Sequence, residues 1–211
     1  MTSSPDHSKA AAPRDPVAAP VRRRGKALER AIFEATLDQL TSGGFARLTM
    51  EGVAGAAQTG KAALYRRWAS KQDLVLDALD SSLPPATDIP DRGSVREELR
   101  DLMRRMCATV QSPGGCAVRV LMAELEHERA QVFAAFTMKR VVEPAKRAVL
   151  EILRRGEARG DVRPGAAVPL VADVAPALLL YRAKLHGGSL PEDFADQVVD
   201  QVLLPMVRPL P

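Results

Sequence analysis

Residues 26–82 are cut into four short pieces, and that punctuation limits the fold more than any other feature of the chain. The first piece carries Ala31, Ile32, Ala35, Leu37 and Leu40 at helical spacing. It runs into Gly43-Gly44, where glycine commonly ends a helix. Phe45 and Leu48 follow as core anchors, and Thr49 is a good N-cap for a short helix over residues 50–57. Gln58-Thr59-Gly60 makes a tight turn into a third helix over 61–68. Ser70 caps a fourth over 71–82, with Asp73 placed where a carboxylate favours the helix dipole. Leu83-Pro84-Pro85 stops it.

The remainder continues in the same manner. A loop over 88–93 places a domain boundary near residue 85, with the helices free to pack across it. Helices are expected over 94–110 and 116–126, separated by Ser112-Pro113-Gly114-Gly115. A long one is expected over 129–159, which Pro144 must kink or restart. After Gly160-Asp161 and Pro164-Gly165 come helices over 166–186 and 191–207, parted by Gly187-Gly188. No segment alternates with period two. Aromatics are only 4% of the chain, and its apolar residues are mainly Ala, Leu and Val, which suits helices better than strands. The expected class is all-α: an arm over 1–25, a head over 26–85 and a helical bundle over 86–211.

Charge is unevenly placed. The net charge is +4, and residues 1–25 hold five basic groups (Lys9, Arg14, Arg22, Arg23, Arg24) against Asp6 and Asp15. Residues 26–80 balance to zero. A basic arm attracts phosphate through counterion release, and the same composition also makes a solvated leader. No apolar signal segment and no membrane-length stretch is present, so a cytoplasmic protein without membrane contact is expected. Cys107 and Cys116 fit no metal or redox spacing, and no cofactor is expected.

Residues 49–68 read TMEGVAGAAQTGKAALYRRW. Two short helices joined by a tight turn, the second bearing Lys61, Arg66 and Arg67, suit a helix-turn-helix. Ala62 and Ala63 keep that second helix slim enough for a major groove, while surrounding donors hold phosphates. Thr49, Tyr65 and Lys71 offer a hydroxyl, a phenol and an ammonium for that purpose. Free backbone N–H groups in the first turn of the fourth helix also favour an anion.

Residues 26–80 as a whole resemble the N-terminal domain of the tetracycline-repressor (TetR) family of bacterial regulators. The resemblance rests on Ile32, Ala35, Leu40, Gly44, Phe45, Leu48-Thr49-Met50 and Val53-Ala54. Leu64-Tyr65-Arg66-Arg67-Trp68 and Ser70-Lys71-Gln72-Asp73-Leu74 complete it. It implies a homodimeric transcriptional regulator, a repressor above all, whose third helices enter successive major grooves of a near-palindromic duplex operator about 34–36 Å apart. It further implies phosphate contacts at Thr49, Tyr65 and Lys71, and places Lys61, Ala62 and Ala63 nearest the bases. Gly60 and Arg66 flank that surface, and Arg22, Arg23 and Arg24 are placed to reach an adjacent minor groove. The turn departs from the family's common Gly-Val-Ser. Gly60 removes a hydroxyl cap, and Ala63 stands where Thr or Ser often meets DNA, so base readout is lean.

The C-terminal half holds no catalytic constellation. His7, His127 and His186 lie far apart, and Glu124, His127 and Glu128 make a solvated helix face rather than a metal site. The protein is not expected to be an enzyme. The segments 166–186 and 191–207 are apolar over most of their circumference, which demands burial on several sides. The family resemblance implies that they form a four-helix bundle across a dimer axis. It also implies a small apolar effector in the C-terminal core. Candidate lining residues are Leu102, Met103, Met106, Val110 and Leu121, together with Leu125, Phe133, Phe136 and Leu179. Taken singly, each of them also reads as plain core, the more ordinary role for such a residue. The competing reading is a helical interaction protein that keeps the fold without specific DNA reading.

Overall fold

The computed structural model describes residues 25–84, 89–124 and 127–209, and every regular element among them is helical. Arg22, Arg23, Arg24 and Leu125 lie outside the described residues. The head comprises α1 (Lys26–Arg47), α2 (Met50–Ala56), α3 (Lys61–Tyr65) and α4 (Lys71–Ser82). α1 does not end at Gly43-Gly44. Gly44 leaves helical geometry at φ 77°, which glycine adopts without a Cβ penalty, and one further turn then carries Phe45 into the core. Thr49 caps α2 by accepting the Gly52 N–H at 3.0 Å. α3 is shorter than the expected 61–68, because after Tyr65 the chain tightens and both Arg67 and Trp68 donate to the Leu64 carbonyl. Gln58, at φ 56°, carries the left-handed residue of the turn. Ser70 and Asp73 close a reciprocal capping box on α4.

The body comprises α5 (Val95–Gln111), α6 (Pro113–Glu124), α7 (His127–Thr137), α8 (Glu143–Arg159), α9 (Pro169–Leu185), α10 (Phe194–Val198) and α11 (Leu204–Val207). The expected break at 112–115 narrows to Ser112, and Pro113–Gly115 belong to the first turn of α6. Ser112 caps it by accepting the Gly115 N–H, and a Cβ on Gly114 would meet the Ser82 hydroxyl at 2.4 Å. That glycine thus admits the end of α4 and does not break the helix. Pro144 begins a new segment, as one of the two expected outcomes has it, in the first turn of α8. A π-helical turn, Met138–Val142, absorbs its missing donor and delivers it to the first turn of α8. A second π-helical turn, Val199–Leu203, does the same ahead of Pro205 between α10 and α11.

Two cores result. One gathers Ile32, Leu40, Phe45, Leu64, Trp68 and Leu79 of the head, and Ala117, Leu121 and Phe133 of α6 and α7 are buried in it too. The other joins α5, α8, α9 and the C-terminal segment around Leu99, Met103, Ile152, Leu153 and Val199. The head's core therefore crosses the expected boundary near residue 85. α6 and α7 are the floor on which the head stands.

Candidate nucleic-acid interface and ligand cavity

α3 presents its outer face without obstruction. Lys61, Ala62, Tyr65 and Arg66 are exposed, Ala63 is half-buried, and Leu64 alone turns fully inward. Gly60 is the exposed N-cap of α3 and has open space where a Cβ would stand. Tyr65, at 46% exposure, is large and apolar-bodied yet left on the surface, as a phosphate donor would be. Thr49 is also exposed, and its capping bond uses a lone pair of the hydroxyl and not its proton.

Two of the expected contact residues already have partners within the chain. Lys61 pairs with Glu51 of α2, which lowers the Glu51 carboxyl and raises the Lys61 ammonium relative to their ordinary values through their shared hydrogen bond. Lys71 turns inward. Its ammonium donates to the carbonyls of Phe45 at 2.8 Å and Leu48 at 3.2 Å and lies 4.4 Å from the centre of the Phe45 ring. It thus satisfies the last carbonyls of α1 and ties α4 to them. Arg67 pairs with Glu29 at 3.1 Å and leans on Trp68. The Trp68 indole in turn donates to Asp77 of α4 at 2.8 Å and meets Phe33 edge-on.

The body contains a cavity of about 340 Å³, walled by α5, the π-helical turn before α8, α8 itself and α9. That is the small end of the range in which ligand pockets fall. Leu102, Met106, Val110 and Leu179 line it, as the sequence suggests. Met103, Leu121, Phe133 and Phe136 do not. Met103 is fully buried in the body's core, Leu121 and Phe133 are buried in the head's core, and Phe136 packs against the latter. The periodicity that marks them as inward-facing cannot say which of two cores they face.

The polar groups at the cavity wall are Arg105, Thr109 and Arg140, which sequence reasoning missed. Arg105 was within reach, since it shares one helical face of α5 with Leu102, Met106 and Thr109. Arg140 was not, because it lies in the π-helical turn, where helical register shifts. Its guanidinium donates to the Asp80 carboxylate at 2.6 Å and to the carbonyls of Leu83 and Pro84 at 3.4 and 3.2 Å. Pro84 itself lines the cavity.

The family models agree with both halves. "Bacterial regulatory proteins, tetR family" matches residues 32–78, and "Tetracyclin repressor-like, C-terminal domain" matches residues 89–202, more than half of the chain. The chain belongs to the tetR family of bacterial regulatory proteins. As such it is a DNA-binding transcriptional regulator. A Mycobacteroides abscessus protein named DNA-binding transcriptional repressor TetR is 29% identical over 187 residues, covering 88% of this chain and 97% of the relative. The fold matches that of a TetR transcriptional regulator from Agrobacterium tumefaciens with a TM-score of 0.65 at 17% identity, covering 86% and 94% of the two chains. It also matches AibR, solved in complex with isovaleryl coenzyme A and operator DNA, with a TM-score of 0.56 at 22% identity over 84% and 98% of the chains. In this tetR-family chain the two halves are thus an exposed α3 and a walled cavity, joined through α4, α6 and α7.

Proposed function

We propose that the protein is a homodimeric repressor that sets two copies of α3 in successive major grooves of a near-palindromic operator and leaves it when a small ligand fills the body cavity. The observation that carries this reading is the exposed face of α3, with Thr49, Tyr65 and Arg66 around two small alanines. Such a face brings phosphate donors to a helix slim enough for the groove. Lys61 is the principal base-reading candidate and Gly60 lets the backbone approach closely. Arg22, Arg23 and Arg24, which immediately precede α1 in sequence, are the candidates for an adjacent minor groove. Lys71 contributes chiefly by fixing α4. The naming of the M. abscessus relative as a repressor and the ligand-and-operator complex of AibR support the same reading.

The dimer is proposed through α9 and the segment from α10 to α11. Leu170, Tyr181 and Leu185 are exposed along one side of α9, and Met206 is exposed in α11. Large apolar side chains gathered in one place mark an association surface. No helix among the described residues is long and apolar enough to cross a membrane, and we place the protein in the cytoplasm, acting by binding and not by catalysis.

The test is a genomic binding selection with purified protein at moderate salt. The expected result is a short near-palindrome, bound with an affinity that falls steeply as salt rises. Equal, weak affinity for all duplexes overturns the reading and favours an interaction protein that keeps only the fold.

A further inference from the structure

We propose that the ligand of the body cavity is a small apolar molecule carrying one anionic group, and that this group draws the Arg140 guanidinium off the C-terminal end of α4. The proposal rests on the reading of the cavity as the effector site and goes further, to the ligand's charge and the bond it breaks.

The chemistry of the wall selects the charge. The lining is mostly aliphatic and proline, and its charged members are Arg105 and Arg140, with no Asp or Glu among them. A cationic ligand would lose hydration there and find no carboxylate among the lining residues. A neutral apolar ligand fills the volume and gains nothing from either guanidinium. A carboxylate finds a planar fork of donors that matches its own geometry, inside a low-dielectric wall where such a pair is strongest.

The position of Arg140 supplies the consequence. In the structure its Nε donates to Asp80 Oδ1, and its two terminal nitrogens reach the carbonyls of Asp80, Leu83 and Pro84. Asp80 lies in the last turn of α4, Leu83 is its C-cap and Pro84 follows, so the guanidinium sits at the negative end of the helix dipole. One guanidinium therefore clamps the end of the head's last helix to the cavity wall. Asp80 is itself 60% exposed, so water compensates it when the pair opens. A ligand carboxylate competes with Asp80 for the same fork. The ligand favours the state in which α4 is released, and that difference in affinity is what a switch requires. One turn earlier on the same side of α4, Asp77 accepts from the Trp68 indole, so the change is reported by the chain's single tryptophan.

The experiment uses the full chain with three probes of one length: octanoate, 1-octanol and octylamine. Binding is followed by calorimetry and by Trp68 emission. Octanoate is expected to bind about tenfold more tightly than octanol, the ratio that one charge-assisted pair supports, and octylamine least. Arg140→Gln should abolish the preference for octanoate while leaving octanol affinity within about threefold. Asp80→Asn keeps the fork and removes its competitor, so octanoate affinity should rise several-fold. A merely structural role for the pair would not produce that gain. Thermal melts of both variants establish folding, and the opposite signs keep the test decisive if one variant is unstable. Equal binding of octanoate and octanol overturns the proposal, as does a preference that survives Arg140→Gln or the absence of octanoate binding at millimolar concentration. If the octanoate preference depends on Arg140 yet no specific duplex is found, the ligand inference stands and the operator reading falls. If a specific duplex is found and octanoate does not bind, the reverse holds.

Discussion

The carboxylate of Glu124, at the end of α6, accepts the backbone N–H of Phe45 at 2.6 Å across 79 residues of sequence. Its other oxygen accepts from Ala46 at 3.1 Å. Those two donors open the last turn of α1, immediately after the break at Gly44, and the chain has no local side chain to satisfy them. A residue of the body therefore supplies an N-terminal cap to a turn of the head, beside the buried edge-to-face pair of Phe45 and Phe133.

Removing that cap is expected to weaken the joint between head and body. Glu124→Ala should cost about 1 kcal/mol, the usual worth of an N-terminal cap. Glu124→Gln should cost less, since an amide oxygen still accepts. Thermal unfolding followed by helical circular dichroism measures both, and an unchanged Glu124→Ala protein would remove the cap from the account of the joint.

Glu51 pairs with Lys61 on the exposed surface and competes with phosphate for its ammonium. Glu51→Gln should therefore tighten duplex binding several-fold at low salt and increase the dependence on salt, because one more cation is available to displace counterions. Lys61→Ala should have the opposite effect and alter sequence preference, whereas Tyr65→Phe should weaken all sequences alike. Fluorescence anisotropy across a salt series distinguishes these outcomes.

Glu98 is fully buried and takes Arg155 at 2.8 Å, Arg159 at 3.0 Å and the Arg92 backbone N–H at 3.2 Å. Glu98→Ala leaves two guanidinium groups without their central acceptor and should cost about 3–5 kcal/mol, as breaking a buried pair from one side does. The reading is the urea midpoint. A loss below about 1 kcal/mol would mean that water replaces the carboxylate at little cost.

Two bidentate pairs fasten the chain's end to α5: Arg100 on Asp196 at 2.9 and 2.8 Å, and Arg96 on Asp200 at 2.7 Å twice. The hydrogen bonds from these guanidinium groups hold both carboxyls below the ordinary aspartate value. A carboxyl lowered by folding stabilises the folded state above its unfolded value, about pH 3.9, and loses that contribution as pH falls through its lowered folded value. Wild type should thus lose stability on acidification below about pH 4 more steeply than the Asp196→Asn, Asp200→Asn double variant. Denaturant midpoints taken from pH 7 down to pH 3 give the comparison, and parallel curves would contradict it.

The sequence by itself determined the class and most of the elements. The cap at Ser70, the turn at Gln58-Thr59-Gly60 and the apolar spacing of Ile32, Ala35 and Leu40 are local signals, and their helices stand where the pattern puts them. The exposed face of α3 was legible for the same reason: its residues are contiguous, and solvent needs no partner to be named. What only the tertiary structure decided is which surface each inward residue meets. Leu121 and Phe133 carry the same apolar period as Leu102 and Met106, yet the first two support the head and the second two wall the cavity. Glu124 reads as a solvated carboxylate until Phe45 is brought beside it, and Arg140 stands in a π-helical turn that helical periodicity cannot track. Periodicity reports how far a side chain turns from its own helix axis. The partner across the contact is fixed by packing between segments distant in sequence, and that information is not local.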